Sequence, residues 1–182
     1  MLNIYKQKLT NLQQEILRVL FLKSGSEINA RKLAITLDVT QPAISKALPM
    51  LEKEELIIIK KDKNSKRLSI SINWDNNKIR WLKKIENLKM LYTSGLPEIL
   101  EKEFAGGTII LFGSFFRGDD TINSDIDIAI IGRKDKNISL KKYEMMLERE
   151  IRINFYDSFE KIHKNFKENL FNGIVLSGGI RL

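Results

Sequence analysis

The 182-residue chain carries 31 Lys and Arg against 23 Asp and Glu, a net charge of +8, and no cysteine. Without cysteine there is no disulfide, no thiolate nucleophile and no Cys-based metal site. No apolar run approaches the length of a membrane span, and the first residues lack the apolar segment of a signal peptide, so a cytoplasmic protein with no membrane partner is expected. The length suits one large domain or two small ones. Residues 1–75 hold 13 basic side chains against 8 acidic, and residues 76–182 hold 18 against 15. The first part is therefore the more basic per residue, as a nucleic-acid surface requires.

In chain order, Leu12, Ile16, Val19, Leu20 and Lys23 fall at helical spacing, with Thr10 as N-cap. Asn29 caps a second helix, 30–37, with Leu33, Ala34 and Leu37 inward, and Asp38-Val39-Thr40 forms a tight break. A third helix opens at Gln41-Pro42, where the missing N–H of proline costs nothing, and runs to about Lys53. Ile44, Leu48 and Leu51 share its buried face. Gln41, Ala43, Ser45 and Lys46 share the exposed one, at the N-terminal end that touches base edges in a helix-turn-helix. Pro49 removes a backbone bond inside this helix and predicts that it bends or ends early. Two β-like runs follow, 56–60 and 67–72. Between and beside them stand Lys60, Lys61, Lys63, Lys66 and Arg67 against a single Asp62.

This order resembles a winged helix-turn-helix of the MarR/ArsR-like type over roughly residues 8–75, with Thr40-Gln41-Pro42-Ala43-Ile44-Ser45-Lys46 as the start of its recognition helix. The resemblance implies double-stranded DNA as partner. Gln41, Ala43, Ser45 and Lys46 would face the bases, and Lys61, Lys63 and Lys66 would contact phosphate. A module of this type can also serve protein contacts alone, and a basic hairpin is compatible with simple solvation.

Residues 76 to about 93 read as a helix with Trp81, Ile85, Leu88 and Tyr92 spaced 4, 3 and 4, extended by Leu82 and Leu91. Two readings stand: a linker helix, 76–95, packing on both domains, or a dimer helix that makes a homodimer to match a palindromic operator. Gly95 ends it, and Pro97 opens a short helix with Leu96, Ile99, Leu100 and Phe104 as its apolar set.

The densest chemistry comes next. An apolar strand, 108–112, runs into Gly113-Ser114, and ten residues later Asp125-Ile126-Asp127 opens a second apolar strand reaching Ile131. Strand side chains alternate, so Asp125 and Asp127 share a face about 7 Å apart along the strand while Ile126 and Ile128 point to the core. Two such carboxylates can share Mg²⁺, which usually takes one or two carboxylates plus substrate phosphates. Gly113 and Ser114 supply backbone N–H groups and a hydroxyl where those phosphates would lie, at the start of a short helix.

This stretch, with Arg117-Gly118 and Ser124 in place, resembles the minimal nucleotidyltransferases of the DNA polymerase β superfamily over roughly residues 96–178. The resemblance implies ATP or another NTP as substrate or ligand and Mg²⁺ as cofactor. Asp125 and Asp127 would be the metal and catalytic residues, with Gly113, Ser114, Arg117 and Ser124 around the nucleotide. The family also places a third carboxylate on the next strand. Here that strand is read at Ile151, Ile153 and Phe155, and the matching position is Asn154, which can ligate a metal but cannot take a proton. Asp157 has the opposite parity and substitutes only if the strand ends or twists before it. Glu150 has the right parity but falls at a helix end.

Other residues carry weaker signals. His163 reads as a surface residue of a helix spanning 159–170, Phe115 and Phe116 as core, and Asp119 and Asp120 as solvated loop acids. Arg117 either reaches a triphosphate or pairs with one of those acids. Ser139 caps a helix to about Arg149, and Asn172-Gly173 precedes a short apolar tail.

The expected fold class is α+β: a winged helix-turn-helix at 1–75 and a nucleotidyltransferase-fold mixed sheet with flanking helices at 96–182. Two functions stay open. One is an enzyme adenylylating a protein partner, a cognate toxin-like protein, as antitoxin-type relatives do, with DNA binding for autoregulation. The other is a transcriptional regulator whose second domain binds nucleotide or a partner without chemistry.

Overall fold

The computed structural model describes residues 9–61 and 68–180. The chain separates into two compact units, Met1–Ile79 and Arg80–Leu182.

The first unit contains α1 (Asn11–Leu22), β1 (Ile28–Asn29), α2 (Ala30–Thr36), α3 (Gln41–Lys53), β2 (Ile57–Lys61) and β3 (Leu68–Ile72). Thr10 and Gln13 form a reciprocal capping box at the start of α1, a bond set worth about 1 kcal/mol. Thr40 caps α3 by accepting the Ala43 N–H at 3.3 Å. Ile16, Leu33, Ile44, Leu51 and Ile70 are fully buried and knit the three helices to the sheet. α3 does not end at Pro49. It runs on to Lys53, because Pro49 sits on the exposed face and Leu48 and Leu51, buried on either side, hold the helix. β2 and β3 pair antiparallel, and the two-residue β1 adds to β3 with Ile28 opposite Ile70. Two residues are too few to show a strand period, so β1 was not anticipated. Helix, helix-turn-helix and hairpin with a third short strand make this a winged helix-turn-helix.

The second unit contains α4 (Lys78–Ser94, from Arg80 on), α5 (Leu96–Glu103), β4 (Thr108–Phe112), α6 (Gly113–Arg117), β5 (Ile126–Ile131), α7 (Lys141–Leu147), β6 (Ile151–Tyr156), α8 (Lys164–Phe171) and β7 (Ile174–Ser177). Its sheet runs β6-β5-β4-β7, with β5 and β6 parallel and the other pairs antiparallel. Alternating residues fill two layers. Ile109, Leu111, Ile126, Ile128 and Ile130 pack with Leu91, Leu100 and Phe115 on one face, and Ile110, Phe112, Ala129 and Ile131 pack with Ile162 and Leu170 on the other. The apolar tail after Gly173 is the edge strand β7. Gly173 admits no side chain there, because a Cβ would overlap the Leu111 carbonyl oxygen.

Several expectations change. The helix expected from Ser139 is the shorter α7, with Leu140 and not Ser139 at its N-cap and no side-chain cap bond, and it is ended by Glu148 in the left-handed region at φ 50°. The helix expected from 159 begins only at Lys164, with exposed His163 as its N-cap. The 76–95 linker helix is α4, and from Arg80 onward it belongs to the second unit. Its buried face takes in only part of the apolar seam, with Leu88 half-buried against the core. Lys83, Asn87 and Leu91 are buried, whereas Trp81 (72%), Ile85 (64%) and Tyr92 (46%) are exposed.

Candidate functional site

β4 delivers the chain to Gly113 at φ 79°, and the one-turn α6 starts there. Phe112 is the register partner of Asp127, so the Gly113-Ser114 turn lies beside the Asp127 end of β5. Asp127 packs directly over Gly113: a Cβ there would overlap the carboxylate. Asp125 and Asp127 share the face opposite Ile126 and Ile128, and both are partly exposed. Burial and the negative charge of Asp125 push the Asp127 carboxyl above its ordinary value, against the opposing pull of Arg152 and Arg117. A site that raises its own carboxylate in this way favours an added cation. An open groove of about 510 Å³ lies beside Asp125, bordered by Ile122, Ser124, Glu144 and Met145; neither Asp127 nor the Gly113-Ser114 turn lines it.

The third position turns on register. β5 and β6 run parallel with Asp127 opposite Arg152 and Ala129 opposite Asn154. Asn154 has the right parity but lies one two-residue step, about 7 Å, further along the sheet. The side chain beside the aspartates is Arg152, whose Nη1 lies 3.0 Å from Asp125 Oδ2 and whose Nε lies 3.8 Å from Glu150 Oε1. Asp157 follows the far end of β6 and pairs with Lys161 at 2.7 Å. Parallel pairing therefore carries Asp157 away from the Asp pair, and no turn at the strand end brings it back. Among the described residues, no group of three His, Cys, Asp or Glu side chains is placed to hold a metal. The possible metal donors are the two carboxylates, with the Arg152 guanidinium beside them as a competing cation.

Around the turn, Arg117 pairs with Asp119, Nε to Oδ2 at 3.2 Å, on the surface. The Ser124 hydroxyl accepts the Thr121 N–H at 2.9 Å and so shapes the loop before Asp125. Phe115 and Phe116 are core. Asp120 overturns its expectation as a solvated acid. It is 0% exposed, and its carboxylate takes bonds from Lys83 (2.6 Å), Asn87 (2.7 Å) and Arg149 (3.3 Å). Burial lowers the Lys83 ammonium from its ordinary value, with Asp120 opposing the shift. Sequence reasoning missed this cluster. The only trace is Lys83 and Asn87 at i and i+4 on a helix face that otherwise ends in buried Leu91.

In the first unit, Gln41, Ser45 and Lys46 are exposed together on the first two turns of α3, with Ala43 half-buried beside them. Lys60 and Lys61 end β2 and are exposed. Lys63, Lys66 and Arg67 lie outside the described residues.

The model of the family described as nucleotidyltransferase domain matches residues 94–176. No curated protein matches the chain. Among solved structures, the chain is similar to the adhesin competence repressor AdcR of Streptococcus pyogenes, at 23% identity over 55% of this chain and 71% of that one, with a TM-score of 0.42. It is similar to ZitR of Lactococcus lactis, titled a zinc-responsive MarR family member, at 23% identity over 56% and 67%, with a TM-score of 0.42. It is also similar to MepR in a MepR–DNA complex from S. aureus, at 24% identity over 52% and 77%, with a TM-score of 0.39.

Proposed function

We propose that this chain, with a nucleotidyltransferase domain at 94–176 behind a winged helix-turn-helix, is a DNA-binding regulator whose second unit binds a nucleoside triphosphate with Mg²⁺ and does not transfer it. The single observation carrying the last clause is Arg152. It stands in register beside Asp127 and ion-pairs with Asp125, where a third carboxylate would have to complete the metal site and take the proton of an attacking hydroxyl.

The residues present fit the metal in a binding role. Two same-face carboxylates, one raised by burial and then by its neighbour's charge, suit Mg²⁺, which usually completes its shell with substrate phosphates. Bound Mg²⁺ would neutralise those phosphates and bridge them to the protein. The chain's own contribution is the Gly113-Ser114 turn for the phosphate oxygens, Asp125 and Asp127 as ligands, and Arg117 and Arg152 as cations within reach of a polyphosphate. Ser124 acts through the loop it braces.

On the other unit, the exposed Gln41, Ser45 and Lys46 support base contact, and Lys61 with Lys63 and Lys66 supports phosphate contact. The exposed Trp81, Ile85 and Tyr92 support a homodimer through α4.

A second reading is favoured by the intact Gly-Ser turn and the same-face Asp pair: transfer of AMP to a toxin-like protein partner in an antitoxin-like role. Incubation with labelled ATP, Mg²⁺ and candidate acceptor proteins separates the two. The regulator reading expects retained Mg–ATP with no labelled acceptor. Label transfer that disappears in Asp125→Asn and Asp127→Asn would establish the enzyme instead.

A further inference from the structure

The second unit buries an ionic cluster whose bonds lead to the chain segments that carry the Gly113-Ser114 turn and Asp125. Lys83 and Asp120 are 0% exposed and Arg149 is 5% exposed. One oxygen of Asp120 takes both Lys83 Nζ at 2.6 Å and Asn87 Nδ2 at 2.7 Å, and the other takes Arg149 Nη2 at 3.3 Å. A buried ion set of this kind is a poor source of stability, because well-packed apolar side chains of similar volume usually serve as well or better. Its bond directions are more informative.

Asn87 Nδ2 also donates to the Phe115 carbonyl at 2.8 Å, so α4 grips the backbone of α6, two residues after Gly113. Asp120 itself begins the loop that Thr121 and Ser124 close ahead of Asp125. Arg149 stands two residues before β6 and three before Arg152. Gly118 presses this loop onto α4, with the Lys84 N only 2.8 Å from where a Cβ would be. One carboxylate thus ties the Gly113-Ser114 turn, the approach to Asp125 and the start of β6 to the same helix.

We propose that Asp120 is a positioning residue for the nucleotide. Clamped by Lys83, Asn87 and Arg149, it sets the phosphate turn and the Asp125 end of β5 at the separation that a metal-bridged triphosphate needs. This rests on the nucleotide-binding reading above. The cluster touches no nucleotide; it acts by fixing three separate backbone segments, which apolar packing would hold less directionally.

The test uses the full chain and Mg–ATP as the probe, with thermal melts and calorimetry on each variant. In the triple variant Lys83→Met/Asp120→Leu/Arg149→Met, the melting temperature stays at or above the parent's while Mg–ATP affinity falls at least about tenfold. Asn87→Leu, which keeps the ion pairs but releases the Phe115 carbonyl, weakens Mg–ATP several-fold. Leu100→Ala, on α5 and packed on the sheet face away from Asp125 and Asp127, lowers the melting temperature and leaves affinity unchanged, which separates positioning from general stability. A folded triple variant with parental affinity overturns the proposal; if that variant fails to fold, parental affinity in Asn87→Leu overturns it. A parent that binds no Mg–ATP overturns the nucleotide reading, and this inference falls with it.

Discussion

The carboxylate of Asp127 occupies the space that a side chain on Gly113 would need. Gly113 also holds φ 79°, a conformation costing an L-residue about 1–2 kcal/mol. Gly113→Ala therefore strains the turn and displaces Asp127 together. A drop in melting temperature of roughly 4–8 °C per kcal/mol is expected for a unit of this size. Calorimetry should show Mg–ATP binding lost with it. Unchanged affinity in a folded Gly113→Ala chain would mean that the turn and the Asp pair do not form one site.

Asp127 carries a pH signature. Its carboxyl is raised by burial first and by Asp125 second. A raised folded-state value means that the protonated form is favoured by folding. Its contribution is present below the ordinary carboxylate value and is lost as pH rises through the raised one. Asp127→Asn, neutral throughout, should escape this loss. Its melting temperature should overtake the parent's as pH rises above the ordinary carboxylate value, and Mg²⁺ with ATP should narrow the gap by stabilising only the parent. A gap that does not change with pH would remove the strain argument.

Arg152 predicts a gain of chemistry. Arg152→Asp places a carboxylate in register beside Asp127 and frees Asp125 from its ion pair. A positioned base contributes typically about 10²–10⁴ in rate, so labelled-ATP transfer should rise clearly above background. Asn154→Asp, a step further along the sheet, and Asp157→Asn, at its far end, should change little. If Asn154→Asp activates and Arg152→Asp does not, the third position belongs to Asn154.

The proposed DNA face divides by contact type. Lys61→Ala should weaken duplex binding about equally for all sequences and flatten the salt slope by about one unit. Gln41→Ala or Ser45→Ala should shift sequence preference instead, at about 1–3 kcal/mol per good base contact. Salt titrations in which all three variants match the parent would end the DNA-binding proposal.

Trp81 and Ile85 give the assembly test. Trp81→Glu with Ile85→Glu puts charge into the exposed seam of α4, and light scattering should then report a monomer where the parent is a dimer. Because neither side chain is buried in the chain itself, the melting temperature of a dilute sample should hardly move. A monomeric parent would refute the seam as a dimer interface.

Much of this protein was determined locally. Thr10, Asn29 and Thr40 mark helix starts because a side-chain oxygen bonding an orphan N–H is a short-range event, readable from neighbours in the chain. Strand parity alone puts Asp125 and Asp127 on one face, and the left-handed Gly113 with its serine marks the turn. Parity does not set register. Whether Arg152 or Asn154 stands beside Asp127 depends on how β6 slides along β5, and only the parallel pairing decides it. The same holds for α4. Its 4-3-4 apolar spacing points to a buried seam, yet Trp81 and Ile85 face out and Lys83 and Asn87 face in. A lysine is buried only where a carboxylate is waiting, and Asp120 comes from 37 residues away in sequence. The tertiary structure alone brings that pair together, and with it the frame in which the Gly-Ser turn, the aspartates and β6 are held.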